Sequence, residues 1–107
     1  MIFGIRQEKM MTSKQRAYLK SLASTMEPVV HIGKAGASQE VVRSAQEALD
    51  ARELIKLSVL KNCLEEPRSI AEIIAERTHS SVVHVIGRKI VLYKPDKDKP
   101  VIKLPVD

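Results

Sequence analysis

The chain has 107 residues, 44% of them hydrophobic and 29% charged, with a formal net charge of +5, three histidines, one cysteine and no tryptophan. This is the size and apolar content of a single domain with one core; few glycines and prolines argue against disorder, and no apolar run is long enough to span a bilayer. The lone thiol, Cys63, cannot form an internal disulfide, which fits a cytoplasmic protein, and the basic excess favours an anionic partner.

Residues 1–11 read as an N-terminal appendage. Met1-Ile2-Phe3-Gly4-Ile5 is too short for the apolar region of a secretory signal, and the charged stretch after it holds no small-residue cleavage site. A first helix is expected over residues 13–25. Thr12 is a good N-cap, and Gln15 three residues on completes a capping-box pattern. Leu19, Leu22, Ala23 and Met26 recur at helical spacing as its buried stripe. Arg16 and Lys20 lie one turn apart beside that stripe. Either they hold an anion between them, or their stems cover apolar surface while the charges stay in water.

After Pro28, Val29-Val30-His31-Ile32 reads as a short strand and Gly33-Lys34-Ala35-Gly36 as a loop. Ser38 caps a second helix that ends near Ala51. Val41, Val42, Ala45, Ala48 and Leu49 supply its core face, and Glu40, Arg43, Glu47 and Asp50 an outer, net acidic one. Residues 54–60 form a second strand in which Ile55, Leu57 and Val59 alternate with Lys56 and Ser58. One sheet face is therefore buried and the other partly wet near Lys56. Glu66-Pro67-Arg68-Ser69 opens a third helix ending near Thr78, with Ser69 and Glu72 as a second capping-box pair. Residues 82–86 and 89–93 are two strands joined only by Gly87-Arg88, a tight hairpin turn. Beyond Pro95 the chain is charged, and residues 101–104 could add a short edge strand. The fold class is α/β: order α-β-α-β-α-β-β, with a four-stranded mixed sheet and helices packed on it.

Basic side chains concentrate at the two ends of the chain. Residues 1–20 carry Arg6, Lys9, Lys14, Arg16 and Lys20 against Glu8 alone. Residues 88–103 carry Arg88, Lys89, Lys94, Lys97, Lys99 and Lys103 against Asp96 and Asp98. If these ends meet on one side they form a patch; if not, they are solvated surface.

A glycine pair two residues apart is a weak pattern alone, but here a strand hands over to a helix. Amide groups at such a junction face outward, glycine admits another backbone, and Lys34 adds a mobile cation at the tip. The loop is either a phosphate-holding site of the GxxG type or a tight turn that needs positive φ. It is too short for a nucleotide-binding P-loop, and no Gly-Lys-Ser/Thr follows. His31, His79 and His84 lack ligand spacing, so no metal and no other cofactor is expected. No nucleophile, base and acid are assembled by the sequence, so catalysis is not expected either. With only Phe3, Tyr18 and Tyr93 as aromatics, the chain has no platform for stacking unpaired bases, and RNA would be bound through backbone and shape.

Four blocks in order carry a resemblance: residues 13–20 (SKQRAYLK), 29–36 (VVHIGKAG), 53–57 (ELIKL) and 85–93 (VIGRKIVLY). The stretch from Thr12 to Leu104 resembles the CRM domain, named for chloroplast RNA splicing and ribosome maturation, and a single such domain looks like the bacterial YhbY-type members. The resemblance implies a domain over 12–104, a tail over 105–107, and a fold similar to the C-terminal domain of translation initiation factor 3. It implies RNA binding and association with precursors of the large ribosomal subunit, with pre-ribosomal particles as partner. The site it implies is Gly33, Lys34, Ala35 and Gly36, supported by Lys14, Arg16 and Lys20, with Lys56 and Arg88 as further members. A monomeric, non-catalytic protein is expected. A DNA-binding architectural protein of similar topology, or a protein-interaction module without a nucleic-acid ligand, are the competing readings.

Overall fold

A computed structural model describes residues 11–106; the appendage residues Met1 to Met10, with Arg6 and Lys9, lie outside them, as does Asp107. In chain order the elements are α1 (Ser13–Ala23), β1 (Val30–Ile32), α2 (Gln39–Arg52), β2 (Leu54–Val59), α3 (Pro67–Thr78), β3 (Ser81–Ile86) and β4 (Lys89–Tyr93). The strands form one sheet in the order β1-β2-β4-β3. β1 and β2 are parallel, joined by the α2 crossover, whereas β4 pairs antiparallel with both β2 and β3. This is the expected mixed sheet in a three-helix domain.

Local chemistry sets the element ends. At α1 the capping box is complete: the Thr12 hydroxyl accepts from the Gln15 amide at 3.1 Å, and the Gln15 side chain accepts from the Thr12 amide at 3.2 Å. The helix closes at Ala23, two residues before the expected end, because the Ser24 amide turns back to the Ser21 carbonyl. Ser38 caps α2 through its hydroxyl. The second capping box does not form. Glu66 is the N-cap residue of α3, Pro67 takes the first helical position, and Ser69 is already inside the first turn.

Strand alternation divides the core between the two sheet faces. Ile55, Leu57 and Val59 of β2, with Val30, Ile32, Ile90 and Leu92, pack under α2 and α3. Leu54, Val83, Val91 and Tyr93 face the other way, against Leu19 and Ala23 of α1. The result is a three-layer arrangement with two helices on one side and one on the other.

Residues 101–104 do not form the expected edge strand. The amides of Val101 and Ile102 are spent on a carboxylate instead. Glu53, 4% exposed, ends α2 at φ 67°, a conformation that a residue with a Cβ rarely adopts. In that pose its side chain accepts from the amides of Asp96 (2.8 Å), Val101 (3.0 Å) and Ile102 (2.9 Å), while its own carbonyl accepts from Lys94. Ile102 and Leu104 thereby close over the α1 core. Pro105 and Val106 continue onto α1, where their carbonyls accept from Gln15 and Lys14.

Burial pushes the Glu53 carboxyl up, but the amides of Asp96, Ile102 and Val101 outweigh it and hold its pKa below the ordinary 4.5. A depressed folded-state value means that the unfolded chain binds the proton more readily. The stabilisation is therefore present above about pH 4.5 and lost as pH falls through the lower folded value. Glu53→Gln is expected to cost about 2 kcal/mol in urea denaturation at pH 7, since charge-assisted bonds are replaced by a group that presents donors to donors. Hydrogen exchange at Val101 and Ile102 should rise, and the acid dependence of stability should weaken. Unchanged exchange at those amides would contradict the clasp.

Candidate nucleic-acid interface

Three connections meet at one end of the sheet. β1 and β2 run parallel, and beyond their last residues Leu60 donates its amide to the Ile32 carbonyl. Val59 donates to the carbonyl of Arg88 in the β3–β4 turn. The loop over 33–36, the segment after β2 and the hairpin turn are therefore neighbours. Arg88 reaches the Leu60 carbonyl through its guanidinium at 3.1 Å.

Within the loop, the Gly36 amide donates to the Gly33 carbonyl at 3.0 Å, and Gly36 takes φ 65°. The glycine pair forms a tight turn, and Lys34 and Ala35 stand exposed at its tip, their amides outside the turn's own hydrogen bonds. The glycines are not equivalent. A Cβ at Gly33 would meet only ordinary contacts, the nearest being Asn62 Oδ1 at 3.5 Å. A Cβ at Gly36 would stand 3.1 Å from the Glu65 carboxylate, in a backbone region that side chains disfavour. Gly36 thus faces a carboxylate, and only Lys34 and Ala35 of this loop are both exposed and clear of it.

The sheet face beside this end is open. Register places His31, Ser58, Lys89 and Ile86 in one row across all four strands. The adjacent row holds Lys56, Val91 and His84. A β-bulge between Val82 and His84 puts Val83 and His84 on this same side. α1 covers Val83, Val91, Tyr93 and Leu54, while His31, Lys89 and Ile86 remain exposed and Lys56, Ser58 and His84 half-buried. Burial, with the cations of Lys20, Arg16 and Arg68 nearby, holds the His84 imidazole below its usual 6.5, so it is neutral at pH 7. α1 carries Lys14, Arg16 and Lys20 and no acid, whereas α2 and α3 on the far side carry Glu40, Glu47, Asp50, Glu72 and Glu76 among their basic residues.

The structure thus brings Gly33, Lys34, Ala35, Gly36 and Arg88 to one corner, with Lys56 and Lys20 on the adjoining face. Two sequence-expected members are placed elsewhere. Arg16 points inward and donates from one guanidinium nitrogen to the carbonyls of Val82 (2.7 Å) and Val83 (2.8 Å), so its first task is to pin α1 to the bulge. Lys14 lies at the start of α1, where its ammonium meets the Val106 carbonyl at 3.4 Å. The chain after β4, which carries Lys94, Lys97, Lys99 and Lys103, crosses the start of α1 there through the Gln15 and Lys14 contacts to Pro105 and Val106. Arg88 and Lys89 sit at the opposite end of that strand. Lys89, Ser58 and His31, which the sequence reading did not single out, lie in the row beside this corner. The alternation within β2 carried the signal for Ser58, but only the pairing register puts all three in one row.

Among the described residues, no group of three His, Cys, Asp or Glu side chains could hold a metal ion, and no helix is long and apolar enough to cross a membrane.

Comparison with known proteins identifies the family and the fold. The family model of the CRS1 / YhbY (CRM) domain matches residues 11–94. The Bacillus subtilis protein named Probable RNA-binding protein YqeI is 43% identical over 96 residues, covering 90% of this chain and all of that one. A Haemophilus influenzae protein named RNA-binding protein is 35% identical over 95 residues, covering 89% of this chain and 95% of its own. The solution structure of a Staphylococcus aureus protein, described as a candidate RNA binder, superposes with a TM-score of 0.76 at 41% identity, over 90% of this chain and all of that one.

Arg16→Ala should lower stability by about 1–3 kcal/mol, because two strand carbonyls lose a charged donor. Lys20→Ala, at an exposed position, should leave stability within about 0.5 kcal/mol. Chemical denaturation of the two variants compares them directly. Equal stabilities would remove the structural role assigned to Arg16.

Proposed function

The chain belongs to the CRS1 / YhbY (CRM) domain family, and we propose on that footing that it is a non-catalytic RNA-binding protein. It associates with large-subunit ribosomal RNA precursors and assists their assembly into particles. The observation that carries this reading is the corner at the end of β1 and β2: two exposed tip residues, Lys34 and Ala35, beside Arg88 and next to a sheet face rich in cations. The tip amides take a phosphate oxygen, the Lys34 ammonium neutralises it, and Arg88 and Lys56 serve neighbouring phosphates. No bond is made or broken. The protein holds a folded segment of RNA while other contacts form around it.

Gly33→Ala tests backbone approach without disturbing the turn, because its Cβ meets only ordinary contacts. That variant and Lys34→Ala should each weaken binding of a large-subunit ribosomal RNA fragment by roughly three- to tenfold in fluorescence anisotropy. Glu65→Gln should strengthen it by about two- to threefold, as the carboxylate at the corner is neutralised. Unaltered affinity in all three variants would contradict phosphate capture at the loop. Crosslinking in cells, followed by sequencing of the attached RNA, should enrich large-subunit precursor. Enrichment of unrelated transcripts alone would overturn the assembly role.

A further inference from the structure

The loop accounts for one corner of the molecule, yet the basic residues do not stop there. The row His31, Ser58, Lys89 and Ile86 crosses the whole sheet, a span of roughly 14 Å for three interstrand steps. Lys56 and Lys89 are diagonal neighbours on β2 and β4, since Lys56 faces Val91 and Lys89 is two residues before it. That separates their Cα atoms by about 7–8 Å. No carboxylate is among the residues of these two rows, and none lies in α1. No Phe, Tyr or Trp ring is among the residues of these rows either. The remaining contribution is hydroxyl, imidazole and one exposed aliphatic side chain, Ile86, at 60% exposure.

We propose that this uncovered half of the α1-side sheet face is a platform for double-stranded RNA, contacted across its shallow minor groove. The inference rests on the RNA-binding reading and specifies the form of RNA bound. Lys56 and Lys89 meet phosphates on the groove's edge, and the Ser58 hydroxyl and the His31 imidazole exchange hydrogen bonds with 2′-hydroxyls. Arg88 and the 33–36 loop continue the line of phosphate contacts at the end of the sheet. The breadth of the open face favours this ligand. An A-form minor groove is wide and shallow and presents its 2′-hydroxyls outward to side chains standing on a sheet, while the minor groove of B-form DNA is narrow and carries no 2′-hydroxyl. Single strands gain most from stacking on Phe, Tyr or Trp rings, and these rows hold none.

The test is titration of the full chain with a short blunt RNA duplex, each of its separate strands, and the DNA duplex of the same sequence. The RNA duplex should bind at least about tenfold more tightly than either strand or the DNA duplex. Lys56→Ala/Lys89→Ala should reduce the salt dependence of duplex binding, the slope of log K against log salt, by about 2. Lys89→Ala alone alters only an exposed position and keeps the test valid should the double variant lose stability; its slope should fall by about 1. Arg43→Ala, on the outer face of α2, should change nothing. Single strands that bind as tightly as the duplex, or a slope unmoved in both lysine variants, would overturn the platform while leaving RNA binding standing. Failure of every RNA to bind would overturn both.

Discussion

One helix cannot cover one face of a four-stranded sheet. β2 is six residues long, roughly 20 Å of strand, while a helix with its side chains is about 10–12 Å across. On the α2–α3 side two helices share the work, and the strands there are apolar throughout. On the other side α1 stands alone. The sequence answers with a change of residue type along single strands: Leu54 lies under α1, while Lys56 and Ser58 lie progressively beyond it. The same change runs along β4 from Tyr93 and Val91 to Lys89. A wet, cationic half-face is thus what remains when one helix meets four strands, and it lies beside the loop that ends β1.

Two anchors hold α1 and the tail so that this half-face stays open. The Arg16 guanidinium ties the helix to the bulge in β3, one row below that of Lys89 and Ser58. Glu53 gathers the chain after β4 and sends it along the far end of α1, where Ile102 and Leu104 complete the apolar cover. Without that clasp the charged stretch after Pro95 would have no fixed course. Both anchors place an ionised group against backbone partners, which is costly to break and directional in its geometry.

Much of this was legible in the residues. The capping box at Thr12 and Gln15, the alternation in β2 and the two-residue turn at Gly87 and Arg88 each carry a local signal, and each element formed where that signal lay. The second capping box failed because Pro67 suits the first helical position so well that the helix starts before Ser69. The edge strand at 101–104 failed because β propensity is silent about a buried acid 48 positions away. Arg16 and Lys20 look alike in sequence, and only the bulge in β3 separates a structural arginine from an exposed lysine. The row across the sheet was out of reach for a related reason. Strand order β1-β2-β4-β3 and its register are tertiary facts, and they alone bring residues 31, 58 and 89 side by side.

The most direct measurement is an amide chemical-shift map of the labelled protein titrated with a ribosomal RNA hairpin. Perturbations should form one continuous surface from Lys34 and Ala35 through Arg88 and Lys89 to Ser58 and Lys56, with the exposed faces of α2 and α3 silent. Shifts concentrated on α2 and α3, or a surface that leaves out both the loop tip and the open sheet rows, would contradict the account.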